Sequence, residues 1–334
     1  MAFVSSVPPA DPPAIPDGAD MIIVWTFVVA AVVFFVFWAV RAAMGKATFP
    51  PSPRASRLDQ AALGEEAALH APGGQFPPPL PGEAAAGFSR WLKVPTAIYH
   101  KLDLVLIGLV FLIFFGLTTG STGDDSIPLE QKFRPSVLIG SIVFQLFLMG
   151  MVIAFVRWRT SLTAWLGLKW KQWPFAFAIA PLTVFFVWCL MGALHISGWN
   201  AWLEKSLGIE SMQEAVQLLQ QAKDPLVLAL MAVAAVFVAP LAEEVIFRGY
   251  LYPAAKKFCG PAGGILFSSL VFAAAHGNVV ALLPLFILAV LLCLIYEATG
   301  SIWANISVHF LFNAATVTLQ LLARSGLIEI ETPQ

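Results

Sequence analysis

Charge is what this chain has least of. Only 12% of its 334 residues are Asp, Glu, Lys or Arg, against roughly 25% in an ordinary soluble domain. The formal net charge is −1, with no basic or acidic block. A nucleic-acid footprint is therefore not expected. Cysteine is scarce too. Cys189, Cys259 and Cys293 are odd in number and far apart, so neither a disulfide framework nor a zinc spacing follows. No His-Glu-x-x-His helix occurs, which removes the usual zinc-protease signature.

What the chain has in abundance is apolar sequence. Hydrophobic residues make up 59% of it. A helix crossing ~30 Å of hydrocarbon needs about 20 such residues in a row. Runs that meet this lie at 21–40, 102–118, 136–156, 174–196, 225–247, 261–277, 279–298 and 301–323. The fold expected is all-α, a polytopic membrane bundle of about eight spans. The run 261–277 is short, and its Gly263, Gly264, Ser268 and Ser269 suit close helix packing. The first run is long and has no Lys or Arg before it, so it reads as a retained anchor rather than a signal peptide.

With residues 1–20 outside, the inner segments hold 14 Lys and Arg and the outer ones 5. The positive-inside rule favours that orientation. Three zones follow: an anchor span over 1–45, a Pro/Ala-rich linker over 46–98, and a membrane bundle over 99–334. The linker contains Phe76-Pro77-Pro78-Pro79-Leu80-Pro81 and cannot build a core. Anchor and linker together read as an appendage. The outer loop 197–224 carries Trp202, Leu203, Leu207, Ile209, Met212, Val216 and Leu219 among charges, the pattern of an interfacial helix capping the bundle or, equally, of an ordinary structured loop.

Ionisable groups inside a membrane are costly, so each needs a reason. The fifth run ends Pro240-Leu241-Ala242-Glu243-Glu244-Val245-Ile246-Phe247-Arg248-Gly249. Glu244 and Arg248 are i,i+4 and share a helix face, so they can pair. Glu243 points about 100° away and has no such partner. An unpaired carboxyl in apolar surroundings holds its proton more tightly, which suits general acid–base work near neutral pH. Glu243 is thus assigned to chemistry and the Glu244–Arg248 pair to positioning. The bland alternative is that both are solvated at the interface.

The sixth run ends Phe272-Ala273-Ala274-Ala275-His276. Glu243 lies 16 residues before Cys259, and His276 lies 16 after Gly260. A helical hairpin turning at Cys259-Gly260-Pro261 would set both about 24 Å from the turn, at one level. Carboxylate and imidazole could there activate a water. On the eighth run, His309 and Asn313 are i,i+4 at an overlapping depth. They could hold a developing oxyanion or act as interhelical hydrogen-bond glue. The sequon Asn305-Ile306-Ser307 falls inside the same run, so no glycan is expected there.

Glu-Glu-x-x-x-Arg at 243–248, Phe-x-x-x-His at 272–276 and His-x-x-x-Asn at 309–313 follow one another on successive apolar runs. This order resembles the CPBP (Abi) family, which comprises the CAAX prenyl protease 2 enzymes and the bacteriocin-processing and immunity proteins. The resemblance covers roughly residues 225–323. It implies an intramembrane endopeptidase of the glutamic type. Glu243 would activate water with His276 as partner, His309 and Asn313 would stabilise the oxyanion, and Glu244, Arg248 and Phe272 would orient the rest. No cofactor is required, although Glu243, His276 and His309 could hold a divalent metal. The partners implied are a peptide or protein substrate, lipidated or not, and membrane lipid. The location expected is a bacterial inner membrane. A non-catalytic immunity or scaffold protein of the same fold and a proton-coupled transporter are the competing readings.

Overall fold

The computed structural model describes residues 18–45, 92–121, 131, 133–208, 219–220 and 222–327. Most of the linker and residues 209–218 of the outer loop lie outside that set. Among the described residues the regular elements are all helical. Seven helical segments among the described residues are long and apolar enough to cross a membrane. The first three are α1 (Gly18–Ala43), α2 (Leu102–Ser121) and α3 (Pro135–Arg157). A short α4 (Leu162–Leu166) leads through a turn to α5 (Ala176–Ile196). The described start of the outer loop is α6 (Trp199–Leu207), which buries Leu203.

The fifth spanning segment, Pro225–Ala274, runs for 50 residues. At 1.5 Å per residue a straight helix of that length would reach about 75 Å, far more than a membrane needs. It is instead a hairpin. Gly260 takes φ 78°, ψ 175°, and Pro261 follows. A left-handed φ costs glycine nothing, and proline cannot continue the incoming helix. The two legs, α7 (225–259) and α8 (261–274), return side by side. The rings of Phe247 and Phe272 lie 5.1 Å apart. The legs nearly touch at Gly264, where a Cβ would stand 2.9 Å from the Lys256 nitrogen. Gly277 ends the second leg at φ 63°. Asn278 then caps α9 (Val279–Thr299), accepting from the Ala281 N–H at 2.8 Å. Gly300 ends α9 at φ 68°, and Ser301 caps α10 (Ile302–Arg324). The seven segments thus make eight helical legs.

α1 is no appendage. Phe27 and Ala30 are fully buried. Phe27 meets the rings of Phe111 and Phe115 on α2, and Phe34 meets Phe267 on α8. A Cβ on Gly263 would stand 2.8 Å from the Phe37 ring. The small residues of α8 therefore make the flat face that admits α1, a tertiary fit that span-by-span reading does not reveal.

The segments assigned to the inner side gather at one end. Arg41 lies beside Gly260. Lys93 donates to the Glu297 and Ala298 carbonyls. Buried Glu297 accepts from Tyr252 (2.5 Å), from Lys256 and from the Val94 N–H (3.1 Å). Asp103 pairs with Arg159 at 2.7 Å and accepts from Tyr250 at 2.8 Å. Arg248 and Lys256, counted above as loop cations, are buried and paired within the bundle. Cys189, Cys259 and Cys293 are free thiols.

Candidate active site

Glu243 sits between two widened turns of α7. Residues Ala234–Val238 and Glu244–Leu251 are π-helical. Such turns are rare and often found where helices carry function. A proline stands just past each turn. In the first π turn Ala239 donates five residues back, to Ala234 O. The next residue, Pro240, has no N–H for Ala235 O. That orphaned carbonyl is taken by Asn313 Nδ2 from α10, at 2.8 Å. Below the second turn, Tyr252 still donates five residues back, to Phe247 O, and the next residue, Pro253, has no N–H to donate. There two side chains, Tyr99 Oη and Trp165 Nε1, donate to the Gly249 carbonyl, both at 2.8 Å. Burial pushes the Tyr99 phenol well above its usual range, so it remains a donor.

The two adjacent glutamates live differently. The Glu244 side chain is 0% exposed. It accepts from Arg248 Nη1 at 2.9 Å, His309 Nδ1 at 2.9 Å and Asn305 Nδ2 at 3.3 Å. Arg248 also lies 4.4 Å over the Phe272 ring. Glu243 is 23% exposed, and its buried Oε2 has no hydrogen-bond partner among the described residues. What faces that oxygen is imidazole: His309 Nε2 at 3.8 Å and His276 Nε2 at 4.0 Å. The hairpin has brought Glu243 and His276 to the same level.

Both rings are held from behind. The Phe272 carbonyl can only accept, so His276 Nδ1, 2.7 Å away, carries the hydrogen. The Glu244 carboxylate likewise fixes the hydrogen on His309 Nδ1. In their neutral forms both histidines therefore turn a lone pair toward Glu243. Phe272 wedges the rings, with centroids 4.8 Å from His276 and 5.9 Å from His309.

The structure thus gathers Glu243, His276, His309, Glu244, Arg248 and Phe272. It turns the Asn313 amide to Ala235 O rather than to Glu243. Asn305 was missed as a site residue. It is fully buried, donates to Glu244 and to Leu292 O (2.7 Å), and fixes the carboxylate that fixes His309. Its signal was present: Asn305, His309 and Asn313 recur every four residues along one helix face. Glu243, His276 and His309 are the set that faces one point, but among the described residues no group of three or more His, Cys, Asp or Glu side chains is gathered to hold a metal ion.

Residues 225–315 match the family model described as type II CAAX prenyl endopeptidase Rce1-like. This segment is Rce1-like. The match runs from the start of α7 into α10 and takes in Glu243, Glu244, Arg248, Phe272, His276, His309 and Asn313. It agrees with the CPBP resemblance, while the bacteriocin-processing and immunity branch has no such support. No curated protein and no solved structure matches the chain. The spanning helices make this an integral, multi-pass membrane protein, and its residues 225–315 are similar to the CAAX-type intramembrane proteases.

Proposed function

We propose that the Rce1-like bundle is an intramembrane endopeptidase in which Glu243 and His276 activate a water. The observation that carries this reading is the pair of acceptors, Glu243 Oε2 and His276 Nε2, 4.0 Å apart with no donor between them. One water with hydrogen bonds of about 2.8 Å spans that gap at an angle of about 90°, close to its own geometry. Glu243 takes a proton as the water oxygen attacks the scissile carbonyl. It then passes that proton to the leaving amine as the C–N bond breaks. His309 Nε2 can donate to the oxyanion when its ring carries both protons, and Glu244 balances that charge. Asn313 supports the turn that presents Glu243 and has a second N–H left for substrate.

Peptides or proteins in a bacterial inner membrane, lipidated or not, are the substrates this reading implies. The Rce1-like match favours neither the scaffold nor the transporter reading. A divalent cation held by Glu243, His276 and His309 is the competing chemistry, although among the described residues no group of three or more such side chains is gathered to hold one. The test is cleavage of a library of prenylated and unprenylated peptides by the detergent-solubilised chain, with and without chelator. Cleavage that needs Glu243 and survives chelation fits the glutamate reading. Loss on chelation, restored by added metal, moves the chemistry to a cation. Wild-type protein that stays monodisperse yet cuts no member of the library counts against an endopeptidase.

A further inference from the structure

A second concavity lies along a neighbouring face of α10, about 110° around the helix from the one that carries His309. It has a volume of about 790 Å³ and is lined mainly by rings: Trp170, Trp173, Phe177, Trp303 and Phe310, with Pro181. Trp303, Ile306, Ser307 and Phe310 form one face of α10, while Asn305, His309 and Asn313 form another. The cavity therefore belongs to a different surface from the candidate active site.

The charges around it say what it would take. Lys169 and Lys171 flank Trp170, are exposed, and form no ion pair among the described residues. No Asp or Glu occurs in 158–203 or 301–324, the stretches that supply the lining. The site is thus aromatic within, basic at the rim, and at the end of the bundle where the Lys- and Arg-rich segments gather. An acyl chain fits the aromatic interior, and a phosphate group fits the basic rim.

We infer that this cavity binds one anionic phospholipid, with its chain against Trp173, Phe177, Trp303 and Phe310 and its phosphate beside Lys169 and Lys171 at the rim. The bound lipid buttresses the α5–α10 seam. This inference is independent of the peptidase reading.

The test uses the full chain in detergent. Native mass spectrometry and thermal unfolding are read with phosphatidylglycerol, with phosphatidylcholine of the same chains, and with glycerol phosphate alone. One phosphatidylglycerol should be retained per chain. Two interfacial lysines correspond to a preference of about thirty-fold over the zwitterionic lipid. Lys169→Gln/Lys171→Gln should abolish that preference, and about 0.5 M salt should shrink it in the wild type. Both lysines are exposed, so that variant folds; Ala176→Trp fills the cavity independently and should lower lipid retention. Equal retention of the two lipids overturns the inference. So does a preference unchanged in the lysine variant, retention unchanged in Ala176→Trp, or a stabilisation by glycerol phosphate equal to that by the lipid.

Discussion

Replacing Glu243 and Glu244 in turn by glutamine should give opposite phenotypes from neighbouring residues. Glu244→Gln keeps the shape of the side chain and removes its charge. Arg248, 1% exposed, is then left as a buried cation without its counter-ion. Removing one partner of a buried pair costs about 3–5 kcal/mol. The bonds from His309 and Asn305 also weaken, but they belong to the same network, so their costs do not simply add. Glu243 has no hydrogen bond at Oε2 to lose and is partly exposed. Its replacement should change stability by less than about 1 kcal/mol. Peptide cleavage should nevertheless fall by about 10²–10⁴, the usual worth of a general base. Thermal unfolding in detergent, with cleavage measured on the same preparations, reads both quantities. If Glu243→Gln unfolds as early as Glu244→Gln, the division of labour between the two carboxylates is wrong.

Asn313→Ala should cost about 1–3 kcal/mol, because it orphans the Ala235 carbonyl. In Pro240→Ala the restored N–H can take that carbonyl, so the cost should shrink in the double variant, and a double-mutant cycle on unfolding temperature checks it. Tyr99→Phe and Trp165→Phe should each lose about 1 kcal/mol, since either donor alone still satisfies Gly249 O. The double variant should lose more than the sum, by the same unfolding assay. Gly260→Ala forces a side chain into φ 78° and should cost about 1–2 kcal/mol. Gly264→Leu should prevent the hairpin legs from closing, read as loss of monodisperse protein.

Much of the bundle was legible because lipid enforces a simple code of apolar length. The second span, for instance, reads as 102–118 and folds as Leu102–Ser121. The hairpin was legible for a geometric reason: Gly260-Pro261 marks the turn, and equal arms of 16 residues bring Glu243 level with His276. The packing of α1 was not, since Phe37 meets Gly263 across more than 200 residues of chain. Asn305 was hidden by its own sequon, which drew attention to glycosylation instead of the four-residue spacing to His309. The prolines at 240 and 253 stand in the sequence, but which carbonyl Pro240 leaves without a donor depends on the π register, and the side chains that reach these turns come from helices far away in sequence.

Those side chains explain how two adjacent glutamates come to differ. A regular helix already sets residues 243 and 244 about 100° apart. That separation alone does not deny Glu243 a donor. The π turns on either side add a residue to each turn and are held open by Asn313 above and by Tyr99 and Trp165 below. Arg248, His309 and Asn305 all spend a donor on Glu244 and none on Glu243 Oε2. The histidines that then face Glu243 turn acceptor nitrogens toward it, because their hydrogens are engaged behind, on Glu244 and on the Phe272 carbonyl. A carboxylate surrounded by acceptors is a poor structural element and a good place to hold a water by its protons. The over-bonded Glu244 is what keeps Glu243 under-bonded, and loss of Asn305, which touches only the former, should weaken catalysis through the latter.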